Sequence, residues 1–183
     1  MTIIEHGSGR VACVDVGEGP LVVLAHSSVS GNRQWRHLID LLKVRCGVLA
    51  PNLIGNGQTT AWSRDRPQTL DDAAEVLFAV CRSLDAPIRL VGHSWGAAMA
   101  LWAASKLGGR VSHIVAYEPM CWSLLRGREI RWVLHETVEV LRRVFPGWQV
   151  EELPGCGHMA PLTHADLINP RIVEFLDRCR AAL

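Results

Sequence analysis

The sequence lacks several features that would place it in a specialised class of protein. Its 19 basic and 18 acidic residues give a formal net charge of only +1, so it has no basic surface of the kind that binds nucleic acid. No apolar run reaches the roughly 18 residues of a membrane span, so we expect no membrane partner. The N-terminal residues lack the basic and then apolar pattern of a signal peptide, which predicts a cytoplasmic protein.

Metal-binding and disulfide motifs are also missing. The six cysteines have no C-x-x-C spacing. They are Cys13, Cys46, Cys81, Cys121, Cys156 and Cys179. This scattering predicts neither a metal site nor a short disulfide framework. Because most of them lie in apolar segments, we expect buried, reduced thiols.

The remaining composition is that of an ordinary folded domain. The chain has 183 residues, of which 49% are apolar and 20% are charged. This balance argues against disorder, and the length suits one domain. Because no repeat, low-complexity tract or linker is visible, we expect residues 1–183 to form a single core domain.

Strand and helix patterns alternate along the chain. The predicted strands are 11–16, 21–25, 44–50, 88–91, 111–117 and 148–153. The predicted helices are 34–42, 70–84, 95–107 and 169–180. Turn residues at 17–20 predict a hairpin between the first two strands, and Pro170 is predicted at the first position of the last helix. The alternation predicts an α/β fold with a mainly parallel sheet flanked by helices.

The segment 120–145 has two interpretations. Its apolar residues fall at helical spacing over about four turns, and Pro146 and Gly147 would end such a helix. Alternatively, residues 130–134 form a seventh strand, although few residues would then remain for a crossover from the preceding strand. The spacing favours the helix.

The pentapeptide 92–96 is the most specific motif in the chain. It reads G-H-S-W-G, which matches the pattern G-x-S-x-G. It follows a predicted strand and begins a predicted helix, the context of a nucleophile elbow. Gly92 and Gly96 would let the strand and the helix approach closely around a serine in a strained turn. Ser94 is therefore the predicted nucleophile, placed where the helix dipole stabilises developing negative charge.

A serine nucleophile needs a base, and the chain has eight histidines. His158 lies in the glycine-containing segment 155–161, between the last predicted strand and the last predicted helix. This loop belongs to the carboxyl edge of the sheet, as Ser94 does, so His158 is the predicted base. His93 is next to the serine, but in an elbow its side chain is expected to point away from it.

Together these motifs resemble the α/β-hydrolase family, from about residue 11 to the last helix. Further landmarks are the segments 25–28 and 50–57. The resemblance implies an oxyanion hole formed by the backbone N–H groups of Ser28 and Trp95, with no cofactor and no metal. Two residues depart from the family pattern. Ser27 replaces the usual glycine and could perturb the oxyanion loop, and Asn52 replaces the usual aspartate.

A serine and its histidine base are usually completed by an acid to form a catalytic triad, and the sequence offers three possibilities for it. The family order is serine, acid, histidine, but the usual glycine-rich turn with an aspartate is missing between Ser94 and His158. Glu118 ends the predicted strand 111–117 and precedes a proline, a position that some lipases of this fold use for the acid. Glu136 is the alternative if a seventh strand ends there, and a site without an acid is the third possibility.

The family resemblance also changes how the length is interpreted. Family members are commonly longer, with a helical cap inserted after the sixth strand. In this chain little sequence separates that strand from the last one, so we expect a minimal fold that lacks the cap and the seventh strand. Such a site would be open to water, which suits the hydrolysis of accessible esters.

The leading hypothesis is therefore a cofactor-independent serine hydrolase that cleaves small carboxylic esters. A haloalkane dehalogenase is not expected, because that chemistry needs a carboxylate where Ser94 stands. A second hypothesis is a catalytically silent interaction protein, and a third is perhydrolysis on the same serine. Loss of the cap would expose apolar residues, which predicts a homodimer. These residues are Trp122, Leu124, Leu125 and Trp132.

Overall fold

The computed structural model describes most of the chain. The described residues are 1–6, 9–63, 66–82, 84, 87–120, 138–139, 142–143 and 146–178. The predicted seventh strand, Glu136 and the four apolar residues assigned to a homodimer interface lie outside these ranges. Within the segment 120–145, the described residues 138–139 and 142–143 are helical.

Six strands form one sheet in the order β1-β2-β4-β3-β5-β6. They are β1 (Thr2–His6), β2 (Gly9–Val16), β3 (Leu21–Ala25), β4 (Gly47–Pro51), β5 (Ile88–His93) and β6 (Val111–Tyr117). β3 pairs in parallel with β4 and β5, and β6 pairs in parallel with β5. β1 and β2 add an antiparallel end to the sheet. The predicted mainly parallel sheet is confirmed, and β1 was not predicted.

The predicted hairpin between the first two strands is wrong. β2 pairs antiparallel with β1 and β4, and β4 lies between β2 and β3. The physical reason is burial: β3 is continuously apolar and nearly all buried, so it occupies the centre of the sheet with a parallel partner on each side. β2 has partly exposed residues and takes a place nearer the edge.

Helices cover both faces of the sheet. They are α1 (Arg36–Leu42), α2 (Leu70–Arg82), α3 (Trp95–Leu107), α4 (Ala160–Thr163) and α5 (Ala165–Arg178). α2 and α3 pack on one face and α1 and α5 on the other, which creates two apolar cores. Thr69 caps α2, since its hydroxyl accepts a hydrogen bond from the Asp72 N–H at 3.2 Å. Among the described residues, no helix is long and apolar enough to cross a bilayer.

Two predictions near the C-terminal end are wrong. Residues 148–153 form no strand: four of the six side chains are exposed and the other two are only partly buried, so the segment buries too little apolar surface to extend the sheet. β6 is therefore the last strand of the sheet in the described part of the chain. The final helix begins at Ala165 rather than near Pro170, which lies inside it. Pro170 removes the bond to the carbonyl of Asp166, and both residues are exposed, so water can solvate that carbonyl.

The described cysteines are free thiols. Cys13, Cys46 and Cys81 are buried, whereas Cys156 is only partly buried. Burial raises the pKa of the Cys13 thiol to about 12 and that of Cys81 to about 11. Protonated, enclosed thiols are poor nucleophiles, so these two side chains contribute to packing rather than chemistry.

Candidate active site

Ser94 forms the tight turn between β5 and α3. Its backbone has φ 54° and ψ −117°, a conformation that a residue with a side chain rarely adopts. Two backbone bonds hold the turn against the end of β6: the Ser94 N–H donates to the Tyr117 carbonyl at 2.9 Å, and the Met120 N–H donates to the Ser94 carbonyl at 3.2 Å. The strained turn is thus fixed by its neighbours, as in a nucleophile elbow.

The glycines on either side of Ser94 are required by close backbone contacts. A Cβ added at Gly92 would lie 2.4 Å from the Ala97 Cα, and one added at Gly96 would lie 2.3 Å from the His26 carbonyl oxygen. Real Cβ atoms do not approach backbone so closely. The spacing G-x-S-x-G therefore follows from the way β5, α3 and the end of β3 converge on this turn.

Three side chains predicted for the site lie in one hydrogen-bonded row. The Ser94 Oγ is 3.0 Å from His158 Nε2, and His158 Nδ1 is 2.6 Å from Glu118 Oε2. Because a carboxylate can only accept, the proton on His158 lies at Nδ1, which leaves Nε2 free to accept the serine proton. Of the acids considered from the sequence, the structure places Glu118 against the histidine.

Glu118 occupies a strained backbone position of its own. It follows β6 directly and has φ 41°, and within the described residues Ser94 and Glu118 are the non-glycine residues with positive φ. Its side chain is 27% exposed, and that of His158 is 46% exposed. Both strained residues direct their side chains to His158, so the strain lies in the residues that form the hydrogen-bonded row.

Ser28 and Trp95, the residues predicted for the oxyanion hole, line one small cavity of about 110 Å³. Trp95 is the first residue of α3, so its N–H has no acceptor within the helix. In the part of the chain that the structure describes, neither amide donates a hydrogen bond. The two donors are therefore available to an oxygen at the positive end of the α3 dipole.

The two departures from the family pattern are accommodated by local hydrogen bonds. Ser27 has no positive φ, its N–H donates to Gln34 Oε1 at 3.1 Å, and its Oγ lies 3.0 Å from Ser30 Oγ. Asn52 Oδ1 accepts the Asn32 N–H at 2.9 Å. The loop between β3 and α1 is thus held by hydrogen bonds to side chains.

Two residues that the sequence did not identify contact the loop of His158. His93 Nε2 donates to the carbonyl oxygen of His158 at 2.7 Å, and the Tyr117 hydroxyl donates to the carbonyl oxygen of Gly157 at 3.1 Å. The sequence predicts only that the His93 side chain points away from the serine; in the structure it bonds to the loop of residues 154–159 that carries His158, called the base loop below. The sequence signal that could have identified both residues is their position at the carboxyl ends of β5 and β6, the edge of the sheet where the site lies.

Burial lowers the pKa of His93 from 6.5 to about 4, and a bond to the His158 carbonyl only partly offsets this. Between these pH values the unfolded chain binds a proton at His93 that the folded chain does not. The stability that the neutral His93 ring contributes to the folded chain is therefore complete above pH 6.5 and is lost as the pH falls towards 4.

We expect the free energy of unfolding to fall over this range in the wild-type protein, and less steeply in His93→Gln. The difference between the two proteins should change by at least about 1 kcal/mol, since one pKa unit corresponds to about 1.4 kcal/mol. Urea unfolding at a series of pH values measures it. Parallel curves for the two proteins would show that His93 is not a buried neutral residue.

A cavity of about 1340 Å³ adjoins Ser94, Glu118 and His158. It provides room for a small organic molecule beside the serine hydroxyl. No group of three or more histidine, cysteine, aspartate or glutamate residues within the described ranges could hold a metal ion. What the arrangement supports directly is nucleophilic attack by a serine with a histidine base.

Comparison with curated proteins gives partial matches to several enzymes and one chelatase subunit. The chain is 34% identical over 94 residues to the magnesium-chelatase 30 kDa subunit of Rhodobacter capsulatus, covering 50% of this chain and 33% of that protein. It is 30% identical over 112 residues to a haloalkane dehalogenase of Agrobacterium fabrum, covering 61% of this chain and 36% of that protein. It is 31% identical over 118 residues to lipase LipV of Mycobacterium tuberculosis, covering 63% of this chain and 43% of that protein.

Family and structure comparisons agree with this pattern. The family described as the alpha/beta hydrolase fold matches residues 20–131. The solved structure of epoxide hydrolase VrEH1 from Vigna radiata aligns with a TM-score of 0.59 and 26% identity, over 63% of this chain and 38% of that one. The chain thus spans between a third and a half of the length of these relatives.

Proposed function

Because the chain belongs to the α/β-hydrolase fold family, we propose that it is a cofactor-independent serine hydrolase that cleaves small carboxylic esters. The observation that supports this most directly is the row formed by Ser94, His158 and Glu118, with distances of 3.0 Å and 2.6 Å. The match covers 112 residues, from 20 to 131, and includes the nucleophile elbow.

In the proposed mechanism, Ser94 Oγ attacks the ester carbonyl carbon while His158 Nε2 removes its proton. Glu118 fixes the Nδ1–H tautomer of His158 and stabilises the imidazolium that forms. Collapse of the tetrahedral intermediate breaks the bond to the alcohol, which takes the proton from His158. A water molecule, deprotonated by the same nitrogen, then attacks the acyl-enzyme and releases the acid and free Ser94.

The negative charge of both tetrahedral intermediates develops on the former carbonyl oxygen. We place this oxygen between the N–H groups of Ser28 and Trp95, which line the same small cavity. Fixed donors of this kind stabilise the transition state more than the ground state, because the charge they face appears only during the reaction. Removing one such donor typically lowers kcat by about 10²-fold to 10³-fold.

The nucleophile is what favours an ester over a haloalkane. Displacement of a halide in this family needs a carboxylate at the elbow, whereas this chain has the hydroxyl of Ser94 at that position. The histidine that would activate water is 46% exposed, so solvent can reach it for deacylation. A serine nucleophile and a base that water can reach both fit a reaction in which an acyl-enzyme forms on Ser94 and water then cleaves it.

A fluorophosphonate probe tests the proposal, since it reacts with activated serines. We expect one adduct per chain by intact mass, located on Ser94 by peptide mapping, and no adduct in Ser94→Ala. Ser105→Ala is the matched control, because Ser105 is an exposed serine of α3 whose hydroxyl donates to the Trp102 carbonyl. It should be labelled like the wild-type protein.

Two results would overturn this assignment. Absence of an adduct on the wild-type chain, together with no esterase activity on p-nitrophenyl acetate, would favour a catalytically silent interaction protein. Formation of a peracid from acetate and hydrogen peroxide in preference to ester cleavage would favour perhydrolysis on the same serine. Mass spectrometry of the products separates the second case from simple hydrolysis.

A further inference from the structure

The loop that carries His158 is tied to the ends of two strands by side chains. In residues 154–159 the chain has no helix or strand, yet two successive carbonyl groups each accept a side-chain hydrogen bond. The His158 carbonyl accepts from His93 Nε2 at 2.7 Å, and the Gly157 carbonyl accepts from the Tyr117 hydroxyl at 3.1 Å. Both donors are terminal strand residues, so the loop is anchored to the sheet itself.

His93 is well suited to this role. It is fully buried at the end of β5, directly before Ser94. A carbonyl can only accept, so the His93 proton lies at Nε2. Burial lowers the pKa of His93 to about 4, which keeps the ring neutral beside the His158 ring at a centroid distance of 4.9 Å. A neutral donor holds the loop without adding a positive charge next to the base.

Tyr117 is a second neutral donor. Burial and the nearby Glu118 raise the pKa of its phenol to about 12, so it remains protonated. Its ring meets the His93 ring edge to face at 5.6 Å. The two donors therefore support each other as well as the loop.

The base needs such support because its ring must satisfy two partners at once. His158 has to remain 3.0 Å from the Ser94 hydroxyl and 2.6 Å from the Glu118 carboxylate. Its loop includes Gly155, with φ 76°, and Gly157, whose backbones lose more conformational freedom on ordering than other residues do. A displacement of about 1 Å at a reacting group can lower the rate about 10²-fold.

We propose that His93 is a positioning residue for the catalytic base. Its Nε2–H fixes the backbone of His158 so that the ring lies between Ser94 and Glu118, and Tyr117 assists through Gly157. This inference rests on the proposed serine hydrolase function, because it concerns the same histidine. It assigns to the second residue of the G-H-S-W-G motif a role that the spacing alone does not give.

The test compares substitutions that remove or retain the donor. In His93→Leu we expect kcat for p-nitrophenyl acetate to fall about 10²-fold with KM changed less than twofold, because the substrate contacts are intact. His93→Gln, whose amide can still donate near the Nε2 position, should restore kcat to within about tenfold of wild type. Tyr117→Phe should lower kcat about fivefold to tenfold, the effect of one ordinary hydrogen bond.

His6→Leu is the matched control. His6 is the last residue of β1, and its Nε2 bonds to Glu75 of α2, so it is also a histidine at a strand end but does not line the cavity beside Ser94. It should have wild-type kcat and KM. Equal losses in His93→Leu and His93→Gln, with unchanged thermal unfolding, would overturn the proposal, because a role in packing alone does not depend on the donor.

A second measurement does not depend on activity. The Ala160 N–H donates to the Gly157 carbonyl at 2.9 Å, so its hydrogen exchange reports on the order of the base loop. We expect exchange at Ala160 to be about tenfold faster in His93→Leu, equivalent to about 1.4 kcal/mol. Unchanged exchange would overturn the role of His93, whereas a wild-type chain that is not labelled at Ser94 would overturn the proposed function.

Discussion

Replacing Glu118 with glutamine is expected to lower kcat for ester hydrolysis by about 10⁴-fold, with little change in KM. The carboxylate accepts the Nδ1 proton of His158 at 2.6 Å and thereby keeps Nε2 free for the serine proton. A glutamine amide can instead donate to Nδ1, which favours the tautomer with the proton on Nε2. That tautomer cannot accept from Ser94, so the base is lost although the ring remains in place.

Glu75→Gln is the control for this substitution. Glu75 in α2 also pairs with a histidine, because it bonds to His6 Nε2, but it lies outside the site. It should retain wild-type kcat. A loss of less than tenfold in Glu118→Gln would show that Glu118 is not the orienting acid. Glu136→Gln then tests the alternative acid, and only a large loss there would support it.

Replacing Gly96 with alanine is expected to destabilise the protein by more than about 4 kcal/mol. The added Cβ would lie 2.3 Å from the His26 carbonyl oxygen and 2.4 Å from the Ala25 carbonyl oxygen. To relieve these contacts, α3 would have to move away from the end of β3, and the apolar core between α3 and the sheet would open. Because domains of this size have a stability of only about 5–15 kcal/mol, we expect little folded protein.

Gly109→Ala provides the comparison, because a Cβ at Gly109 meets nothing within 4 Å and its φ is not positive. It should change the free energy of unfolding by less than about 1 kcal/mol. Urea unfolding monitored by circular dichroism measures both variants. A Gly96→Ala protein with near-wild-type stability would show that α3 and β3 are less closely packed than described.

Much of this site could be predicted because its chemistry is local in sequence. The strand, the turn and the helix around Ser94 are contiguous, and G-x-S-x-G reports a steric requirement that the contacts at Gly92 and Gly96 explain. The sequence left three possibilities for the acid, of which Glu118 was one. Which acid contacts His158 depends on how close the end of β6 lies to the loop of His158, and the sequence does not give the distance between them.

The wrong predictions concern features that depend on which strands pair in the folded chain or on which side chains remain exposed. β2 and β3 are separated by turn residues, which favours a hairpin, but β4 from later in the chain takes the place beside β3. Residues 148–153 have the composition of a strand, but four of their six side chains are exposed. From the sequence His93 is predicted only to point away from the serine, and its contact with the base loop depends on where the folded chain places that loop.

Ser94 and Glu118 hold positive φ values of 54° and 41°, and each such residue raises the energy of the folded state by about 1–3 kcal/mol. A glycine at either position would relax the backbone and delete a side chain of the row in the same step. Selection for stability alone would therefore favour a chain that lacks the proposed nucleophile or the proposed acid. The most thermostable variants of this protein should be sought with these two positions held fixed, because an unconstrained search would improve the fold by removing its chemistry.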